Sequence, residues 1–383
     1  MSKEKHSFTP SLLHSLFPSR LCLAFSVALS LTSATLLVAA ESAPLYAEHQ
    51  DLSYYLDADG KKHPIKTTAD WDIRRKHILS HMQTVMGPLP KPKQPVELGM
   101  TVLEEKPFDV FVRQKIAYHT DSPQRVVNAY LFLPRRNAGH KIPAVLCLHQ
   151  TTRIGKQEPA GLGGRPNLSY ALHLASRGYV TLAPDYPSFG DYDYNFDPQD
   201  GYISGTMKAV YDNMRAIDLL VSLKPVDPQR IGCIGHSLGG HNTMFTAAFD
   251  GRIKAIVSNC GFTRFHKYFN GRLKGWTSQR YMPLIASRYN NDPDRVPFDF
   301  PEIVASFVPR PFLASSPLRD GNFEVSGVRD TIVSAKPIYQ LFGWPKHLQA
   351  NYPDCGHDFP PDVRKLAYEF LDKHLKLESL DMP

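Results

Sequence analysis

Residues 230–249 read RIGCIGHSLGGHNTMFTAAF. The opening run is apolar and suits a buried strand. The part after the paired glycines suits a helix. Between them, Gly235-His236-Ser237-Leu238-Gly239 matches G-x-S-x-G. Such a serine sits on a strained strand-to-helix turn, where side chains two positions either way would collide. In this context Ser237 reads as a nucleophile rather than as a solvated serine in a glycine turn.

A serine hydroxyl attacks poorly without a base beside it. On a turn of this kind the acid and then the histidine come later in the chain. YPDCGHDFP (352–360) supplies His357 on a loop between a strand and the last helix. The loop PLRDGNFEVSGVRD (317–330) follows the strand RPFLASS and supplies Asp320, with Glu324 as its rival. Acyl transfer also needs backbone N–H groups for the oxyanion. Leu238, at the helix start, is one candidate, and Gln150 or Thr151, after the strand AVLCLH, is the other. His149, His236 and His241 are read as structural. GKQEPAGLGG (155–164) lacks the Gly-Lys-Ser/Thr ending of a phosphate loop and opens into no helix, so it carries no nucleotide.

Outward from the serine, apolar runs alternate with helical patterns. IPAVLCLHQ, YVTLAPD, IKAIVSNCGF, RPFLASSP and HLQANYPDCGH read as strands. Helical spacing marks residues 204–225, 241–249 and 361–376. That alternation predicts an α/β fold with a mostly parallel sheet covered on both faces. VELGMTVLEE, VFVRQKIAYHT and RVVNAYLFLP read as antiparallel strands before it. Residues 41–94 form a helical extension, its helix capped by Thr68 or Asp70. Residues 95–377 form the main domain. Within it, 262–307 far exceed the dozen or so residues a crossover needs, and read as a lid-like insertion. Trp276, Arg280 and Tyr281, with Arg264 and Lys274, would give that insertion an aromatic and cationic surface suited to a sugar or an anionic ester.

The net charge is +7, but the basic residues are scattered among 37 acidic ones. That distribution argues against nucleic-acid binding. Lys3, Lys5 and Arg20 precede an uncharged run from Leu21 to the small residues Val38-Ala39-Ala40. Residues 1–40 therefore read as a signal peptide, which implies a periplasmic or secreted protein with no membrane contact after cleavage, an uncleaved membrane anchor being the competing reading. Cys147, Cys233, Cys260 and Cys355 have neither zinc-site nor disulfide-framework spacing. The first three read as small buried hydrophobes.

AVLCLHQTT, GYVTLAPDYPSFGDY, RIGCIGHSLGGH and the later Asp320 and His357 together resemble the α/β-hydrolase superfamily. Over residues 95–377 the chain is most similar to the secreted acetyl xylan esterase and dienelactone-hydrolase-like branch. Dienelactone hydrolases carry a cysteine where this chain has Ser237. Glucuronoyl esterases carry Cys and Arg where it has His236 and Leu238. The resemblance implies a secreted serine hydrolase cleaving carboxylic esters, small or carbohydrate-linked, through Ser237, His357 and Asp320. Such chemistry requires no metal and no cofactor. A prolyl-oligopeptidase-like serine peptidase is the alternative enzyme, although no sequence repeat of a gating domain precedes the core. A non-catalytic hydrolase-fold binding protein is the remaining one.

Overall fold

The computed structural model describes residues 43–376 apart from 93, 95 and 136–139. The expected signal peptide lies outside the described residues. Among those described, no helix is long and apolar enough to cross a membrane.

The chain begins with a small hairpin, β1 (Tyr54–Leu56) and β2 (Lys62–Pro64), which the sequence reading did not contain. Helix α1 (Thr68–Met86) follows. Its cap is Thr67, one residue earlier than expected. Asp70 N–H donates to Thr67 Oγ1 at 3.2 Å, and Thr67 N–H donates to the Asp70 carboxylate at 2.8 Å. This reciprocal pair satisfies donors that the first turn leaves open. Three antiparallel strands come next: β3 (Thr101–Pro107), β4 (Phe111–His119) and β5 (Val126–Pro134). Then the chain alternates. It runs β6 (Ile142–Leu148), α2 (Tyr170–Ser176), β7 (Val180–Pro184), α3 (Gly205–Ser222), β8 (Val226–His236), α4 (Leu238–Phe249) and β9 (Ile253–Asn259). After β9 come short helices α5 (Leu284–Ser287) and α6 (Phe300–Ala305). Strand β10 (Phe312–Ser315), helix α7 (Val325–Leu341), strand β11 (Leu348–Asn351) and helix α8 (Pro361–Leu375) complete it.

Among the described residues the main sheet has nine strands, in the order β11-β10-β9-β8-β6-β7-β5-β4-β3. From β7 to β11 the pairing is parallel, and β5 joins β7 antiparallel. Strand side chains alternate between two cores, as the period of two requires. Leu146, Cys233 and Ile256 pack with α1, α3, α4 and α7. Val145, Ile234 and Val257 pack on the other side with α2 and α8. Strands covered on both faces are apolar throughout, which is why β6 and β8 stood out in the sequence. Strand β3, at the edge, is exposed along its whole length and carries Glu104, Glu105 and Lys106.

The segment between β9 and β10 is partly helical. Three contacts tie it to the core. The N–H groups of Gly205 and Thr206, opening α3, donate to the carbonyls of Gln279 (2.8 Å) and Tyr281 (3.2 Å). The Tyr186 hydroxyl donates to the Arg280 carbonyl. A buried charge cluster ties the N-terminal extension to α6. Arg74 of α1 pairs with Glu302 at 2.7 Å, and His49 pairs with the same carboxylate at 2.8 Å. Arg74 and Glu302 have no solvent exposure.

Candidate active site

Strand β8 ends at His236 and α4 begins at Leu238, so Ser237 makes the whole turn. Its φ is 54° and ψ −117°, a conformation that residues with side chains rarely adopt. The flanking glycines are required by contact. A Cβ on Gly235 would overlap the Gly239 backbone, and one on Gly239 would overlap the Leu148 carbonyl at the end of β6. The Ser237 N–H donates to the Asn259 carbonyl at 2.9 Å. Leu238 occupies the first helical position, whose N–H has no partner within the helix. That N–H and the positive end of α4 beside it suit an anion.

Asp320 lies five residues beyond β10, and its side chain is 1% exposed. Its Oδ1 accepts the N–H groups of Asn322 (2.8 Å) and Phe323 (3.1 Å), which lock the carboxylate in place. His357 Nδ1 lies 2.9 and 3.0 Å from the two carboxylate oxygens. An ionised carboxylate only accepts, so Nδ1 carries the proton and Nε2 is left as a base. The His357 carbonyl accepts from Arg165 at 3.0 Å. Behind it, Asn259 Nδ2 donates to the carbonyl of Asp358 (3.1 Å) and to Nδ1 of His236 (2.6 Å). Burial, then the nearby His357, push the His236 pKa well below the usual histidine value. Its ring, tilted to that of His357 with centroids 4.7 Å apart, is thus kept neutral. Glu324 does not join the pair. It caps α7, accepting from Ser326 N–H at 3.2 Å.

Beside Ser237 is a cavity of about 130 Å³, also lined by Leu238, Thr151, Trp276 and Tyr281. Asn322 and Phe323, next to Asp320, close another side. The Phe323 ring lies 6.1 Å from that of His357. Thr151 reaches the cavity and Gln150 does not. The Gln150 side chain donates to Glu158 at 2.9 and 3.1 Å, and its carbonyl accepts from His149 Nδ1 at 2.6 Å. His149 Nε2 accepts from Tyr186 N–H at 2.9 Å, which fixes the proton on Nδ1. A trans peptide turns its N–H away from its carbonyl. The Gln150–Thr151 unit therefore directs Thr151 N–H away from His149.

Not every residue named from the sequence meets here. Trp276 and Tyr281 line the cavity, whereas Arg280 is exposed. Its Nε donates to Ser188 Oγ at 2.6 Å and its guanidinium lies over Phe189. Arg264 is turned to Asp299 and Asp330. Asn322, Phe323, Tyr268 and His241 line the cavity without having been anticipated there. The spacing of His241, one helical turn after Ser237, was the available signal. Cys147, Cys233 and Cys260 are buried and free, as read; Cys355 is half-buried and free. Cys260 Sγ, with donor atoms of Asp320 and His357, forms a cluster within 4.8 Å. Burial, then Asp320, push that thiol well up, so it packs there as a neutral group. With the histidine proton already shared with Asp320, the cluster is explained without an ion.

A strained serine between strand and helix, an imidazole paired to a buried carboxylate, and a mixed sheet wrapped by helices define an α/β hydrolase. Within that class the chain belongs to the prolyl oligopeptidase family, whose sequence profile matches residues 166–377. It is similar to YtaP of Bacillus subtilis (strain 168), provisionally named a hydrolase. The identity is 27% over 315 residues, covering 79% of this chain and 99% of that protein. Among solved structures it resembles a glucuronoyl esterase from Solibacter usitatus, with TM-score 0.64, 17% identity and coverage of 87% of this chain and 99% of that one. It also resembles a protein of Bacteroides fragilis NCTC 9343 provisionally named an acetyl xylan esterase. There the TM-score is 0.60 and the identity 21%, over 82% and 79% of the two chains.

Proposed function

We propose that this protein is an exported serine hydrolase of carboxylic esters borne by carbohydrates. The observation that carries the reading is the Asp320–His357 pair set beside a cavity that also holds Ser237 on its strained turn. Ser237 Oγ attacks the acyl carbon and His357 Nε2 takes its proton. Asp320 fixes the tautomer and stabilises the imidazolium. The N–H groups of Leu238 and Thr151 hold the oxyanion. Collapse of that intermediate expels the alcohol, protonated by His357, and water then releases the acid by the same route. The carbohydrate assignment is supported by the aromatic cavity and by the names of the structural neighbours.

A panel of acetylated sugars, glucuronate esters, aryl esters and peptides tests this, together with labelling of Ser237 by a fluorophosphonate. Labelling with ester turnover is expected. The family match favours a second reading, peptide hydrolysis. Faster cleavage of prolyl peptides than of any ester would replace the first reading with the second, and a folded protein that takes no label would remove both. For export, N-terminal sequencing of the mature protein should begin near Glu41; cytosolic protein starting at Met1 or Ser2 contradicts it.

A further inference from the structure

Two buried groups beside Ser237 have no part in the hydrolytic steps. His241 is 4% exposed, and neither of its ring nitrogens has a hydrogen-bond partner. Trp276, on the insertion, packs against it with ring centroids 4.8 Å apart. Trp276 is 3% exposed and its Nε1–H is also unpartnered. Both residues line the cavity that contains Ser237. Buried polar atoms without a protein partner cost stability unless a bound group meets them, and among the described residues these three face the cavity that holds Ser237.

Their neighbours leave them unpaired in the structure. Phe245 has no polar atom to offer, and the Tyr281 hydroxyl is already hydrogen-bonded to Thr151 Oγ1 at 2.9 Å. Tyr268 is fitted against Gly275, where any Cβ would collide with its hydroxyl. Charge is absent too: none of the residues lining the cavity is acidic, and none is lysine or arginine. His241 itself is kept neutral, since burial pushes its pKa down to about 3. The imidazole therefore presents one donor and one acceptor, and Trp276 adds a donor.

We propose that His241 and Trp276 form a subsite for a neutral, hydroxyl-bearing group, the pyranose ring of the substrate, with one ring hydroxyl accepting from Trp276 Nε1–H and sharing a further hydrogen bond with His241. The proposal rests on the ester-hydrolase reading and specifies its substrate. A hydroxyl both donates and accepts, which matches this set. A carboxylate would enter with no cation to meet it, and an alkyl chain would leave all three nitrogens unpaired. The cavity is several times the roughly 30 Å³ that one water occupies in the liquid. It has room for about one sugar ring, and the rest of a longer substrate would lie outside.

The test compares kcat/KM on mono-acetylated methyl pyranosides with matched analogues lacking one ring hydroxyl. Wild type should prefer at least one hydroxylated member over its deoxy partner by about tenfold or more. His241→Phe keeps a ring and removes both nitrogens; Trp276→Phe removes the indole N–H. Each should bring that ratio close to one, and His241→Phe should also raise the thermal midpoint. His241→Gln, which retains a donor and an acceptor, should keep part of the ratio. If His241→Phe does not fold, the wild-type deoxy series and Trp276→Phe decide the matter. A Ser237-labelled, active enzyme that ignores every deoxy change, or variants that leave the ratio intact, would overturn the subsite alone. So would a preference for free uronate-bearing esters. Absence of both labelling and ester turnover would overturn the hydrolase reading and the subsite together.

Discussion

Ser237 keeps its backbone at φ 54° although a residue with a side chain pays for that conformation, on the order of 1–3 kcal/mol. The strain is tolerated because Gly235 and Gly239 admit the close crossing and Asn259 takes its N–H. Ser237→Ala should keep the fold and slow ester hydrolysis by roughly 10⁴- to 10⁶-fold, read from kcat on an aryl acetate. Asp320→Asn should free the wrong histidine tautomer and cost up to about 10⁴-fold, with an unchanged melting curve as the control. Glu324→Gln should leave the rate within a few-fold, because that carboxylate only caps α7. A large loss there with a small one at Asp320 would reverse the assignment. Ser237, Asp320 and His357 were legible because chain order and turn chemistry mark them. Arg280 was not, because a sequence shows a charge but not the Ser188 and Phe189 that hold it outside the cavity. Phe323 escaped notice as one more apolar residue, though the Asp320 turn brings it to the cavity.

Strand β8 and helix α4 meet at a crossing with no spare volume. Gly239→Ala would drive a methyl group into the Leu148 carbonyl. Overpacking against backbone costs typically 1–3 kcal/mol or more. That variant should lower the denaturation midpoint and the activity together, whereas Ser237→Ala lowers only activity; urea unfolding of both separates the two effects. Helix α7 illustrates where element reading fails. The sequence reading placed its first six residues, to Asp330, in a loop, and Gly327 and Pro337 are both poor helix residues. Gly327 is there because Thr263 and Arg264 press against it, and that tertiary contact leaves no mark in local sequence. The inner strands β6 and β7 and the second half of β8 were legible for the opposite reason: burial on both faces makes them almost wholly apolar.

Across the molecule, the buried histidines set opposite pH limits. His236 and His241 stay neutral in the folded state, mainly through burial. In the unfolded chain they bind protons below about pH 6.5. Their contribution is therefore complete above that pH and declines as pH falls toward the folded value, about 3 for His241. His241→Phe should reduce the acid-side slope by about 1.4 kcal/mol per pH unit, measured by urea unfolding between pH 6 and 4. His49 has the other sign. Burial lowers its pKa, but Glu302 outweighs that and raises it. Its contribution is full below about pH 6.5 and is lost as pH rises through the folded value, so His49→Gln should flatten the alkaline side. The overall α/β order was readable from alternating patterns, but the Arg74–Glu302–His49 cluster was not, since Glu302 lies more than two hundred residues from both its partners. That cluster bears on anyone who would shorten the gene. A version trimmed to residues 95–377 would discard Arg74 and His49 while retaining Glu302. The stranded anion would sit at the foot of the insertion that carries Trp276, so the damage from a cut in the first hundred residues would surface as altered substrate choice.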